Sequence, residues 1–132
     1  MIWGIRAADV PLYAGKLAPF LLNFAEHSHA RSTGIQLLEA VMREEMQVYV
    51  VDDFKAVCLT SVHPEHVEIN CCAGVDREEW QDALEAHIAE WAAHLGKKRM
   101  IMITRPGWSK WARTRGYKTA HVELVRELHY GR

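Results

Sequence analysis

The sequence predicts an α+β domain with a mixed central sheet covered by helices on both faces, and three observations predict it. Apolar runs in the middle of the chain, between residues 46 and 72, are separated only by the turn clusters Asp52-Asp53 and His63-Pro-Glu-His66, the pattern of an antiparallel meander. An amphipathic helical pattern (residues 76–95) and a further apolar run (residues 99–104) follow, and such a strand-helix-strand crossover puts parallel neighbours into the same sheet. The 132 residues suffice for one substantial core and not for two, so a single domain spanning 1–132 is expected.

The elements follow in order. Residues 1–6 alternate weakly, a short first strand. Asp9 then stands where a helix cap belongs and Pro11 near the first turn. The helix is expected to reach about Ser28, with Leu12, Leu17, Phe20, Leu21 and Phe24 as its apolar face and Pro19 bending or dividing it. Residues 28–34 are a turn cluster. Ile35, Leu38, Val41 and Met42 make one face of a second helix. Residues 46–51 and 55–62 pair as a hairpin. In residues 67–72, Val67, Ile69 and Cys71 alternate with Glu68, Asn70 and Cys72, the period of a third antiparallel strand. Trp80, Leu84, Ile88, Trp91 and Leu95 form the buried stripe of the long helix, which Gly96 stops. A buried strand at 99–104, the turn Arg105-Pro-Gly-Trp108, a short helix and Arg115-Gly-Tyr-Lys118 lead to a closing strand at 121–128. The expected sheet has about six strands, flanked by about four helices.

Apolar residues make up 49% and charged residues 25%, the composition of an ordinary globular protein. Neither a signal peptide nor a run approaching the 18 or so apolar residues of a membrane span is visible, so a soluble, cytoplasmic protein without a membrane partner is expected. Cys58, Cys71 and Cys72 form no C-x-x-C and read as reduced thiols in strands. Net charge is −1, but its distribution is uneven: residues 97–122 hold eight bases and no acid, while residues 1–96 hold fifteen acids and six bases. A basic patch around Arg105, Lys110, Arg113 and Lys118 would suit an acidic protein surface or phosphates. A solvated helix face accounts for the same residues.

The order strand, two helices, three strands, helix, strand, helix, strand resembles the Gcn5-related N-acetyltransferase superfamily over nearly the full length. The motifs that carry the resemblance lie in the final third: the long helix, the strand 99–104, the Arg105-Pro-Gly-Trp108 turn and Arg115-Gly-Tyr-Lys118. With the ending Arg126-Glu-Leu128 they also resemble short acetyltransferase-like proteins encoded by bacteriophages, often near virion genes. That second resemblance implies a virion or host component as partner, and the virion or host cytoplasm as location.

The superfamily implies acetyl-coenzyme A, held by glycines after the fourth strand whose N–H groups meet its pyrophosphate. Only Gly74 stands in that stretch, and Asp76-x-x-Glu79 has the spacing of a capping box that would close the helix start on itself. Asp76, Glu78 and Glu79 also oppose a diphosphate there. A structural loop, and no cofactor, is therefore expected. If coenzyme A does bind, Cys72, Gly74, Arg105, Lys110 and Arg113 are the candidate contacts. The resemblance further implies a Tyr general acid at the position of Ala112 and an Asn at that of Arg105, and both are missing, while Tyr117 matches an aromatic that packs. Glu68 is the remaining candidate base, its turn neighbours His63 and His66 able to assist it; a hydrogen-bonded strand carboxylate is the plainer account. His63-x-x-His66, His27-x-His29 and His87/His94 lack a recognised set of three or four ligands, so no metal is expected. Trp108 and Trp111, interleaved with cations, fit either a core stripe or a surface that stacks nucleic acid bases. The functions in play are a noncatalytic acetyltransferase-fold binding module, an active N-acyltransferase acting on an amine, and a nucleic-acid-binding module using residues 97–118.

Overall fold

The computed structural model describes residues 1–27 and 32–129. Residues 28–31 of the turn cluster expected at 28–34, with the helix end at Ser28 and the partner His29 of His27, lie outside them. Five strands form one sheet in the order β1-β2-β3-β4-β5: β1 (Ile2–Ile5), β2 (Gln47–Val51), β3 (Ala56–Val62), β4 (His66–Gly74) and β5 (Arg99–Met102). The first four are antiparallel neighbours, and β5 joins β4 in parallel. The mixed α+β class and the cover on both faces are as expected.

On one face lie α1 (Val10–Glu26) and α2 (Gly34–Met42), burying Leu17, Leu21, Phe24, Leu37 and Val41 against Val48, Val50, Val57 and Leu59. On the other lies α3 (Arg77–His94), whose Trp80, Leu84, Ile88 and Ala92 pack on Val51, Cys58, Val67 and Ile69. Leu12 and Ile35, expected in the core, are 79% and 70% exposed. Each sits on the wrong side of its helix: Leu12 is roughly 140° around from Leu17, and Ile35 roughly 200° from Leu37. Met42 and Leu95 are exposed as well. Helix α1 runs unbroken through Pro19, because burial of Leu17 on one side and Leu21 and Phe24 on the other holds both halves together. Asp9 ends up accepting from Arg6 Nε at 3.0 Å and caps nothing with its side chain. Thr33 and Gln36, by contrast, form a reciprocal capping box at the start of α2.

Strand β4 carries a bulge. Leu59 faces Cys71 and Thr60 faces Ile69, so Asn70 is the extra residue. The expected alternation therefore fails after Ile69: Cys71 and Ala73 pack on the α1/α2 side, Cys72 on the α3 side.

The sixth strand is absent among the described residues. Residues 121–128 form no strand, Val122, Leu124, Val125 and Leu128 are exposed, and β5 is an edge strand, only partly buried. The apolar alternation of Val122 and Leu124 breaks at Val125, so no single register would bury the segment. The short helix is α4 (Ser109–Thr114), entered through a 3₁₀ turn at Pro106–Trp108 and stopped at Gly116, whose φ is +94°. None of the described helices is long and apolar enough to cross a membrane.

Candidate functional site

The bulge positions the site. Pairing of β4 with β5 runs from His66↔Arg99 to Ile69↔Met102; beyond Asn70, β4 continues to Gly74 while the other chain turns away through Pro106–Trp108. The parted strands leave a cleft of about 550 Å³, with Cys72, Gly74, Asp76, Arg77, Arg105 and Trp108 on its walls. Arg77 and Trp108 meet across it, the guanidinium 4.8 Å from the ring centroid. Of the five candidate coenzyme contacts, Cys72, Gly74 and Arg105 line the cleft; Lys110 and Arg113 are exposed on α4 and are not among its lining residues.

The connection from β4 to α3 is only Val75 and Asp76. Val75 N–H is donated to the Lys55 carbonyl at 3.1 Å, and Trp80 Nε1 donates to the Val75 carbonyl at 2.7 Å. The expected side-chain capping box does not form. Asp76 takes a left-handed conformation (φ +55°), which turns its carboxylate away from the Glu79 N–H; that N–H bonds the Asp76 carbonyl instead, at 2.9 Å. Both carboxylates go to Lys55, Glu79 by a close ion pair and Asp76 at 3.8 Å. The Glu79 bond raises the pKa of the Lys55 ammonium.

Gly74 is needed by the sheet. A Cβ there would lie 2.4 Å from Ala56 Cβ, 2.5 Å from Lys55 O and 2.6 Å from Ala56 Cα. Its bare backbone faces β3, not a ligand. For a diphosphate this corner is a poor fit: one spanning N–H is spent, the connection is too short to wrap an anion, and Asp76 and Glu78 line the cleft with negative charge.

Glu68 lies elsewhere, opposite Ile101 in the paired half of β4 and away from the cleft walls. Its Oε1 is 3.8 Å from His66 Nε2. The His66 ring stacks on His63 at 4.4 Å, and Ser61 Oγ joins His63 Nε2 (2.8 Å) to Asn70 Nδ2 (2.9 Å). Ser61 was not legible as part of this group, because only the hairpin register brings it across.

Three thiols lie on β3 and β4. Cys58 and Cys72 are cross-strand partners and both thiols are free; the Cys72 thiol beside it, with full burial, raises the Cys58 pKa well above the ordinary thiol value. Burial, then Cys72, pushes Cys71 up to about 11. Deprotonation is disfavoured at both, so neither is poised as a nucleophile at neutral pH.

Ala112, where the resemblance implies a general acid, is buried. Tyr117 is occupied: its hydroxyl donates to Glu85 Oε2 at 2.9 Å, while Arg115 holds Glu85 Oε1 at 3.1 Å. Burial and this bond raise the Tyr117 pKa. Glu85, itself buried, was missed in the sequence; its place beside Leu84 on the edge of the apolar stripe was the signal. On α4, Lys110 and Arg113 are exposed, as are Arg105 before it and Lys118 after it. The rings between them are taken up in packing: Trp108 meets Trp80 at 6.3 Å and Trp111 at 5.6 Å, and Trp111 Nε1 donates to Asp82 at 2.6 Å.

Solved structures share this fold along nearly the whole chain. A probable acetyltransferase superposes with a TM-score of 0.71 at 16% identity, covering 100% of this chain and 99% of its own. The ribosomal-protein-alanine N-acetyltransferase of Brucella melitensis biovar Abortus 2308 gives 0.71 at 12% identity, with 97% and 99% covered. The fold is that of the Gcn5-related N-acetyltransferases. The aminoglycoside N-acetyltransferase AAC(6')-Iy, in complex with coenzyme A, matches this acetyltransferase fold with a TM-score of 0.62 at 13% identity over 98% of this chain and 99% of its own. No family model and no curated protein matches the sequence.

Proposed function

We propose that this chain uses the acetyltransferase fold as a noncatalytic binding module. The observation that carries the proposal is the two-residue connection between β4 and α3, whose Val75 N–H is already bonded within the fold and whose flank carries Asp76 and Glu78. An anion cradle needs several open N–H groups and no nearby carboxylates. The contact surface in this proposal is the basic stretch Arg105, Lys110, Arg113 and Lys118, exposed around α4. The partner in this proposal is an acidic protein surface on a virion or host component, the kind of partner that a resemblance to phage-encoded proteins implies.

Calorimetric titration with acetyl-coenzyme A at millimolar concentration tests the first half: no heat and no rise in thermal midpoint are expected, since a ligand that binds the native state raises it. A dissociation constant in the micromolar range would overturn it. For the second half, replacing Lys110, Arg113 and Lys118 together by Glu should abolish co-purification of the partner from particle or host lysate. Association that survives both this reversal and half-molar salt would refute the basic surface.

The cleft itself favours a second reading, an active N-acyltransferase, because parted strands with Arg77 and Arg105 on the walls offer room and positive charge. In that reading acetyl-coenzyme A enters between β4 and β5, and Glu68, which does not line the cleft, takes the proton of the acceptor amine through water. Acetylation of any amine by the purified chain, lost in Glu68→Gln, would establish it.

A further inference from the structure

We propose that His63, His66 and Glu68 form a binding site for a divalent transition metal, zinc or a metal of similar preference, at the β3–β4 turn. One ligand atom from each of these residues lies within 4.8 Å of the other two, and all three side chains are half-buried. No metal was expected from sequence spacing, because His63-x-x-His66 alone offers two ligands. The strand supplies the third: Glu68 follows His66 by two positions, so both side chains leave β4 on the same face, before the bulge reverses the alternation.

The chemistry of the set is that of zinc. Two imidazoles and one carboxylate make a three-ligand set that leaves a fourth position for water. Tetrahedral bonds of about 2.0–2.1 Å put ligand atoms roughly 3.3 Å apart, so the widest pair needs to close by up to about 1.5 Å, within reach of side-chain rotation. His66 Nε2 and Glu68 Oε1, at 3.8 Å, are nearly there already. A metal-bound histidine is normally held by a second hydrogen bond from its ring. His63 has one, its Nε2 being 2.8 Å from Ser61 Oγ, which accepts in turn from Asn70 Nδ2. The two imidazoles stack nearly parallel, 10° apart, and a shared metal would tilt them open toward each other, since it lies in the plane of each ring that binds it.

The cations nearby are engaged. Lys98 and Arg99 pair with Glu65 at 3.1 and 3.2 Å, and Lys97 Nζ donates to the Pro64 carbonyl at 3.3 Å. Glu65 is thereby drawn off as a competing ligand, and the three charges opposing a cation are partly compensated. The site is separate from the β4–β5 cleft and requires neither acetyl-coenzyme A nor a partner.

The test is titration of metal-free protein with Zn²⁺, and with Co²⁺ as a spectroscopic stand-in. One equivalent of Zn²⁺ should bind with a dissociation constant in the micromolar range or tighter, and Co²⁺ should give the visible bands of a four- or five-coordinate site. His66→Ala and Glu68→Gln should each weaken binding at least about tenfold. Glu68→Gln is nearly isosteric and keeps the measurement meaningful if a histidine variant folds poorly. Because His87 and His94 could capture metal at the surface, their double replacement by Ala serves as the control and should leave the affinity unchanged. Paramagnetic broadening by Co²⁺ in an amide spectrum should centre on residues 61–70. Zinc binding weaker than about 100 μM, or binding that persists in Glu68→Gln and vanishes with His87 and His94, would overturn the proposal.

Discussion

Gly74→Ala separates a glycine kept for the sheet from a glycine kept for a ligand. The added Cβ would meet Ala56 Cβ, Lys55 O and Ala56 Cα at 2.4, 2.5 and 2.6 Å, and none of these is the far end of a flexible side chain. Two are backbone atoms, Ala56 Cα at the start of β3 and Lys55 O just before it, and Ala56 is fully buried, so relief requires the strands to part at the Ala56↔Gly74 pair. Overpacking typically costs about 1–3 kcal/mol, and contacts with rigid atoms belong at the upper end of that range. A loss of about 3 kcal/mol lowers the midpoint of a chain this size by about 10 °C. Denaturant unfolding and calorimetry measure both. Gly107→Ala is the control, since no atom lies within 4 Å of a Cβ there, and it should stay within about 0.5 kcal/mol of the parent. Adding Ala56→Gly to Gly74→Ala should restore only part of the loss, because the two backbone contacts remain. Gly74→Ala with parental stability would refute the close approach and return Gly74 to the list of residues reserved for a bound anion.

Three further outcomes are expected. Glu85→Ala leaves Arg115 and the Tyr117 hydroxyl without their shared acceptor and should cost about 2–4 kcal/mol by denaturant unfolding, with Glu85→Gln recovering part of it. Trp91→Ala should cost about 2 kcal/mol, less than a fully buried aromatic, because Trp91 packs edge-on to Tyr49 at 5.5 Å at the margin of the core. Burial pushes Tyr49 up to about 12, against an unfolded value near 10, so the native state holds this proton longer. Its share of stability is complete below pH 10 and falls as pH rises from 10 to 12; a urea midpoint followed over that range should decline, and less steeply in Tyr49→Phe.

Periodicity made most of the fold legible. The hairpin turns at Asp52-Asp53 and His63–His66, the stripe Trp80, Leu84 and Ile88, and the stop at Gly96 all stand where sequence put them. Errors arose where several apolar residues competed for one face: Leu12 and Ile35 scan as core until Leu17 and Leu37 define which side is buried. The bulge could not be read, since Asn70 becomes surplus only against the register of β3. It cost the facing of Cys71; of the group around Glu68, His63 and His66 were legible as its turn neighbours and Ser61 was not. The carboxylates of Asp76 and Glu79 matched a local cap in sequence, but Lys55, distant along the chain, holds them in space. The closing strand failed for the opposite reason: its residues have strand propensity, yet their broken alternation gives no face to bury.

Asn70 makes β4 a strand with two phases. Residues 66–69 and 71–74 are each regular, but they are offset by half a pleat, so the strand delivers its polar group to one face at one end and its glycine corner to the opposite side at the other. Deleting this one residue would leave Ile69, Cys71 and Cys72 in unbroken alternation, with Cys71 still toward α1 and α2 and Cys72 still toward α3, and would remove only the kink at which the two halves change phase. The same dislocation lets β4 leave β5 without leaving β3. A single inserted residue thus allows one strand to end two unrelated surfaces, and each can change its chemistry while the other stays in register.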